Sequence, residues 1–478
     1  MPQATIVGSG PNGLAAGLAL GRAGYRVRML EAAADPGGGL RTQALTLPGF
    51  AHDVCSAVHP AALASPLLRA WGVRERVEWI VPEISYAHPL EDGRAALAWR
   101  DLERTASGLG ADADRWQRLF APLVSDLDAV VEVTGSSLLR VPRHPFSALH
   151  YGRRMLRTGL RTPEAQALWA GVAAHANTRL PSLASAAAGL LLATHAHASG
   201  WAYPRGGAGQ LARAMAADIQ SRGGTIETGT AVTDLASLDW GDPARGDVLL
   251  LAGSPRLLLT HPALPAGYAR ALRRFRYGSA AAKVDFALGG PVPWLNGDVA
   301  RSPTVHLGGS RAEIRASENA VARGRVSPRP YVLVVQPSVL DDSRAPEGQA
   351  SLWAYIHVPA GSGLDPTALV TAQLERFAPG FAQRVLASTA TAASAREAIN
   401  PAEIGGDVFG GEFSLWQSVK RPVVAASPWR TPLPGIYLAS ASTPPGPGVH
   451  GMGGWHAART VLVDAGTPST LDELFRPR

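Results

Sequence analysis

The chain has 478 residues, 46% of them hydrophobic and 17% charged, with a formal net charge of +7. It is too long for one compact core and fits two or three domains. No apolar run reaches the roughly 18–20 residues that cross a bilayer, and Cys55, the single cysteine, excludes an internal disulfide and fits a reducing compartment such as the cytoplasm.

In chain order, Ala4-Thr5-Ile6-Val7 reads as a strand, so the opening residues do not read as a signal peptide. A Gly-rich turn follows. Leu14, Ala15, Leu18 and Ala19 then give a helical apolar stripe, and Arg26 to Leu30 a second strand behind Gly24. Next comes DPGGGLRTQALTLPGFAHD, too rich in glycine for regular structure. Residues 62–200 read as mostly helical, and Leu183 to Thr194, Ala-rich and interrupted by Ser185 and Gly189, as a buried helix. From Tyr203 a Gly-rich turn leads to an amphipathic helix and short strands, AVTDL among them; Gly246 to Ser254 holds a buried strand. AAKVDFAL, YVLVVQPS and SLWAYIHV have the spacing of an antiparallel sheet. DPTALVTAQLERFAPGF is a helix that stops at Pro379-Gly380, and the chain closes with a strand from Ile436 to Ala439, a Pro/Gly loop and a helix near Gly453-Gly454.

Nucleotide-type elements therefore stand at the beginning, middle and end. The expected fold class is α/β: a discontinuous Rossmann-like domain with an α+β substrate domain inserted twice. The expected division is 1–75, 203–262 and 425–478 for the nucleotide domain, with 76–202 (helical) and 263–424 (antiparallel sheet) for the substrate domain.

Gly8, Gly10 and Gly13 fit GxGxxG between the first strand and helix. The first glycine permits the turn, the second admits a pyrophosphate, and the third allows close helix–strand packing. Free N–H groups at the helix start, with its dipole, favour phosphate. Glu31 ends the second strand, where an acid accepts hydrogen bonds from ribose hydroxyls. These features predict a dinucleotide, and the single GxGxxG gives no second nucleotide domain.

Asp35-Pro36-Gly37-Gly38-Gly39-Leu40-Arg41-Thr42 resembles the GG motif of the flavoproteins that include amine oxidases and carotenoid desaturases. GPNGL, LPGFAHDVCSAVHP, YPRGG, NPAEIGGDVFGGEF and YLASASTPPGPGVHGMGGWHAAR together resemble bacterial phytoene-desaturase-like NAD(P)/FAD-dependent oxidoreductases over essentially the whole chain. The resemblance implies the amine-oxidase-like two-domain fold, non-covalent FAD, and redox chemistry on an organic molecule. It places Gly8, Gly10 and Gly13 on the pyrophosphate, Glu31 on the ribose, Gly38 and Arg41 along the phosphates, and the Val232 backbone on the adenine. Val449, His450, Gly451 and Met452 fall at the isoalloxazine end. Where many relatives have Gly and an acid, this chain has Ser440-Ala441, with Ser442 or Thr443 as the replacement hydroxyl.

Two groups are candidates for chemistry. Lys283 and Lys420 are the only lysines; Lys283 lies in AAKVDFAL, which resembles the amine-oxidase strand whose lysine reaches flavin N5 through a water. The simpler readings are a strand-end ion pair with Asp285 or a surface lysine. His450 is an acid/base candidate or a loop-positioning group. His52, Asp53 and His59 are expected to border the substrate cavity, and Trp416 and Gln417 to wall it, with core packing the simpler role for Trp416. His195 and His197, two apart with no third ligand, do not make a metal site.

The expected activity is removal of hydride from a hydrophobic small molecule, isoprenoid or polyene in character. Amine or alcohol oxidation, redox-neutral isomerisation, and a non-catalytic FAD-stabilised binding protein are the alternatives. Arginines at 140, 143, 153, 154, 157 and 161, interleaved with apolar residues, suit either a solvated helix face or a peripheral contact with the inner face of a membrane. No nucleic-acid module accompanies the charge.

Overall fold

The computed structural model describes residues 1–139, 151–154 and 159–476. Of the basic segment, residues 140–150 and 155–158 lie outside the described residues. The elements that matter here are β1 (Gln3–Val7), α1 (Pro11–Arg22), β2 (Arg26–Leu30), β3 (Ile84–Pro89), β4 (Ala95–Trp99), α2 (Leu127–Thr134), α3 (Pro163–Ala174), α4 (Leu183–Ala198), α5 (Gly209–Ser221), β5 (Thr225–Glu227), β6 (Val248–Leu251), β7 (Ala280–Leu288), β8 (Thr304–Leu307), β9 (Val332–Val335), β10 (Ala350–Val358), β11 (Val385–Thr391), β12 (Ile436–Leu438) and α6 (Met452–Asp464).

Two sheets organise the molecule. The first has the order β12-β6-β1-β2-β5 and is parallel throughout, with Thr5 opposite Leu249 and Arg28. Both faces of such a sheet must be covered, which is why β6 is a continuous Val-Leu-Leu-Leu run, buried along its length. Helices α1, α5 and α6 pack against this sheet through small residues. A Cβ on Gly13 would overlap the Gly8 carbonyl oxygen, and one on Gly454 the Asn12 carbonyl oxygen, so the approach of α1 to the β1 turn and to α6 requires glycine.

The second sheet has the order β11-β7-β10-β9-β8-β3-β4, antiparallel except where β8 meets β3. Alternation splits β7 between two surroundings. Ala280, Ala282, Val284, Phe286 and Leu288 enter an apolar core with the helix Thr367–Phe377. Ala281 and Lys283 face a cavity on the other side, together with Leu333, Trp353 and Tyr355. Helices α3 and α4 cover that side. The fold is the expected α/β arrangement of a parallel nucleotide sheet and a mixed substrate sheet.

Two local expectations change. The stretch 62–200 contains the hairpin β3–β4, turned at Asp92-Gly93 with Gly93 at φ +82° and Leu90 N–H donating to the Arg94 carbonyl at 2.8 Å. AVTDL is not a strand: β5 ends at Glu227, and the chain leaves the sheet through Gly229 at φ +66°.

Candidate active site

A single cavity of about 1020 Å³ runs from the first sheet to the second. Its nucleotide end is bounded by Gly8, Gly10, Glu31, Gly38, Val232 and Gly253. The β1–α1 turn needs Gly8 at φ +96°. α1 begins at Gly10 with no side-chain cap, which leaves its first N–H groups for an anion. A Cβ on Gly10 would meet no atom within 4 Å, so open space lies where a pyrophosphate is expected. Glu31 is buried. Its Oε2 accepts from the Ser9 N–H at 2.9 Å and the Ser9 hydroxyl at 2.5 Å, and its Oε1 from the Ala33 N–H at 2.9 Å. Oε1, with one donor, keeps a lone pair for a ribose hydroxyl. These residues fit FAD.

The other predicted cofactor residues divide. Ser442, Val449, His450 and Met452 stand on the cavity wall with Gly8 and Gly10, so the early and late glycine loops do converge. Gly13 and Gly451 act behind the wall: Gly451 starts α6 at φ +67°, and a Cβ there would press on Ala15 and Leu67. The wall does not include Arg41. Its guanidinium donates to the Gly38 carbonyl and the Ile399 carbonyl, both at 2.9 Å, and so ties the GG turn to a segment 358 residues away. Ser442 donates its hydroxyl to the Gly410 carbonyl at 2.7 Å, and Thr443 to the Ser440 carbonyl at 2.7 Å.

Lys283 is 3% exposed and stands on the cavity wall. Its ammonium donates to both Asp285 carboxylate oxygens at 2.7 Å and to the Asp53 carbonyl at 2.8 Å. Burial pulls the lysine below its ordinary value and pushes Asp285 up, although the two attract one another. The ion pair with Asp285 is therefore present, but in mid-strand and buried rather than at a strand end, and Lys283 is not a surface lysine. Around it lies a paired network. Arg344 donates to Asp53 at 2.8 Å, both fully buried, and Thr42 and the Ala208 N–H donate to the other Asp53 oxygen. Burial opposes ionisation of Asp53, but Arg344 and these bonds hold its carboxyl below the usual range. Of the three residues expected to border the cavity only His59 does; Asp53 lies in this network behind the wall, and His52 lies 3.5 Å from Asp285, where burial first, then Lys283 and Arg344, push it down to about 3.

His450 accepts the Met452 N–H at its Nδ1 at 3.0 Å, which leaves Nε2 to carry the proton of the neutral ring. Burial lowers it to about 4. His59, His175 and His195 share the wall, brought by burial to about 4, about 3 and about 4. His197 points elsewhere, accepting from the Trp116 indole at 3.1 Å with its other nitrogen 2.8 Å from the Trp99 carbonyl. Neither Trp416 nor Gln417 walls the cavity, and Trp416 does not pack in the core. The short helix Leu415–Val419 turns Leu415 and Ser418 inward, leaves Trp416 62% exposed, and spends Gln417 on the Arg276 carbonyl at 3.0 Å.

The substrate end is apolar. Ala184, Ala187, Ala188, Leu191, Leu192 and His195 lie three or four apart on α4 and form one stripe along the cavity. Leu333, Trp353 and Tyr355 face it from the second sheet. Sequence reasoning missed several charged residues here. Asp407 accepts from the Gly278 and Gly411 N–H groups at 2.8 Å each, and Arg421 donates to the Ala441 and Phe409 carbonyls at 2.8 and 2.6 Å. Together they join the 407–411 loop to the C-terminal loop. Arg396 and Glu403 pair at 2.6 Å on the wall. Asp407 and Glu403 lie inside NPAEIGGDVFGGEF, which was the available signal. Arg344 and His175 carry none.

The model of flavin-containing amine oxidoreductases matches residues 12–462. The chain is 25% identical over 561 residues to mouse pyridine nucleotide-disulfide oxidoreductase domain-containing protein 2, covering 97% of this chain and 93% of that protein. It is 26% identical over 523 residues to hydroxyneurosporene desaturase from Cereibacter sphaeroides, covering 98% and 99%. Among solved structures, a triple mutant of putrescine oxidase superposes with a TM-score of 0.62 at 15% identity, over 97% of this chain and 99% of that one. With relatives in mouse and a bacterium, the group reaches beyond bacteria. The family match over most of the chain, and a glycine-walled cavity that fits its cofactor, lead to one conclusion: the chain belongs to the flavin-containing amine oxidoreductase family and is an FAD-dependent oxidoreductase.

Proposed function

We propose that this enzyme removes hydride from a hydrophobic substrate, isoprenoid or polyene in character, and so desaturates or oxidises it. The observation that carries the reading is the apolar α4 stripe, continuous with the nucleotide end in one cavity. Bound FAD supplies the hydride acceptor, its N5. The chain's own part is to hold an apolar molecule against that edge, exclude water and take a proton. Burial keeps the wall histidines neutral. His450, whose Nδ1 accepts the Met452 N–H, is a donor through Nε2 on that wall. The desaturase likeness supports this reading. Oxidation of an amine or alcohol is the second reading; Lys283 on the wall and the putrescine oxidase likeness favour it.

The same proposal places the enzyme in the cytoplasm with a small hydrophobic molecule, not nucleic acid, as its partner, and keeps the segment 140–161 as a candidate contact with an anionic membrane face. No described helix is long and apolar enough to cross a membrane. The test is anaerobic bleaching of the yellow holoprotein against polyenes, alcohols and amines. Bleaching by a polyene is the expected result. Bleaching by amines alone, with peroxide released on admitting air, would establish the second reading instead.

A further inference from the structure

On the cavity wall stands a buried guanidinium whose hydrogen-bonding capacity is not met by protein partners among the described residues. Arg396 is 4% exposed and forms part of the cavity wall. Only its Nε is engaged, donating to Glu403 Oε2 at 2.6 Å. Glu403 is in turn occupied at Oε1 by the Asn400 amide at 3.0 Å. The two terminal nitrogens of Arg396 have no protein partner among the described residues, yet they are not sealed away from the cavity. The other cations of this region differ. Lys283 has three oxygens around its ammonium, and Arg344, which is off the cavity wall, donates through Nε to the Ala51 carbonyl and through one terminal nitrogen to Asp53, its other terminal nitrogen being sealed in the protein. Glu397, on the same wall, accepts the Gly405 N–H at 3.1 Å.

A guanidinium left with one bond inside an apolar chamber loses water without full replacement, unless a ligand supplies acceptors. Its outer edge presents parallel N–H groups, a geometry that matches the two oxygens of a carboxylate. An ammonium head offers only donors, and it would bring a like charge to the Arg396 guanidinium. Resting on the reading of the chamber as the seat of a hydrophobic substrate, we infer that Arg396 anchors an oxygen-acceptor head group of that substrate, a carboxylate at the end of an apolar chain. The pairing of Arg396 with Glu403 through Nε holds the plane of the guanidinium, so Glu403 is a positioning residue for this anchor.

The test needs no knowledge of the natural substrate. FAD-loaded protein is titrated with decanoate, decanol and decylamine at neutral pH, and binding is read from the change in the visible flavin spectrum and by calorimetry. Decanoate is expected to bind about tenfold or more tightly than decanol, and decylamine the most weakly. Arg396→Met should bring decanoate to the decanol level, leaving decanol and FAD content unchanged. Arg396→Lys, which keeps the charge but not the fork, should retain part of the preference and guards against a folding defect in the first variant. Decanol bound as tightly as decanoate by the unmodified protein would overturn the anchor while leaving the chamber intact. A preference that survives Arg396→Met would also overturn it, as would loss of FAD from that variant, which would assign the nitrogens to the cofactor. If none of the three chains binds, the chamber reading fails and the anchor with it.

Discussion

The two ends of the cavity are built from different materials. At the nucleotide end the wall is backbone: Gly8, Gly10, Gly38 and Gly253 leave space and N–H groups, and Glu31 is the acid among them. At the substrate end the wall is side chain: the Ala/Leu stripe of α4, the aromatic face of the second sheet, and the imidazoles of His175 and His195. A backbone wall recognises a phosphate and sugar that never change, and it tolerates no added atoms. A side-chain wall can be altered residue by residue without disturbing the fold, and the substrate of such an enzyme is therefore written at that end.

The strongest way to break this comparison is to add a side chain at the nucleotide end. Gly13→Val forces a Cβ onto the Gly8 carbonyl oxygen, a backbone neighbour that cannot yield. The expected cost is about 3 kcal/mol or more, with loss of both folded protein and flavin. Gly10→Val separates the two effects. Its Cβ meets no protein atom within 4 Å, so the thermal midpoint should stay close to that of the FAD-free wild type, within about 1 kcal/mol for the changed cap. The flavin, however, should be lost. The ratio of absorbance at the flavin band to that of the protein decides the matter; a wild-type ratio for Gly10→Val would remove Gly10 from the cofactor site.

Acid should distinguish the ends next. His59, His175, His195 and His450 all have folded values depressed by burial from 6.5 to about 3 or 4, and none belongs to the nucleotide end. A depressed histidine is protonated first in the unfolded chain. Its stabilisation is complete above pH 6.5 and declines as pH falls toward the folded value, by up to about 1.4 kcal/mol per pH unit for each group. The thermal midpoint should therefore drop between pH 6.5 and 5, before most carboxylates titrate. Replacing His195 by Gln should reduce that slope by one proton. A midpoint that is flat across this range would contradict the burial of these rings.

The same contrast explains what could be read from the residues alone. β2, over Arg26–Leu30, and the glycines of the first turn are legible because their signals are local: a short apolar run, a Gly at the break, an acid at a fixed distance. The hairpin β3–β4 was hidden because both its faces are covered, so Ile84 to Pro89 is buried throughout and shows no alternation. Arg344 and Arg396 are long-range facts. Asp53 lies 291 residues from Arg344, and nothing near DDSRAPEG announces that its arginine is fully buried. Trp416 failed in the opposite direction: an aromatic in this stretch suggests core packing or a cavity wall, but the helix that holds it is five residues long and turns it to solvent.

The smallest effect tests the one departure from the family pattern. Ser442 stands where a phosphate or ribityl contact is expected, yet its hydroxyl proton is committed to the Gly410 carbonyl at 2.7 Å, while its N–H is accepted by the Ser440 hydroxyl at 3.1 Å. The side chain is buried, and its main service is to fasten the 407–411 loop to the C-terminal loop, a duty shared with Arg421. Ser442→Ala removes one neutral hydrogen bond to the carbonyl of the half-buried Gly410, which water can replace, so it should cost about 1 kcal/mol. FAD affinity, followed by flavin fluorescence on dilution, should change by less than about tenfold, because backbone groups carry that end of the site. A larger loss of affinity with an unchanged thermal midpoint would mean that the hydroxyl oxygen itself meets the cofactor, and that this part of the wall is side chain after all.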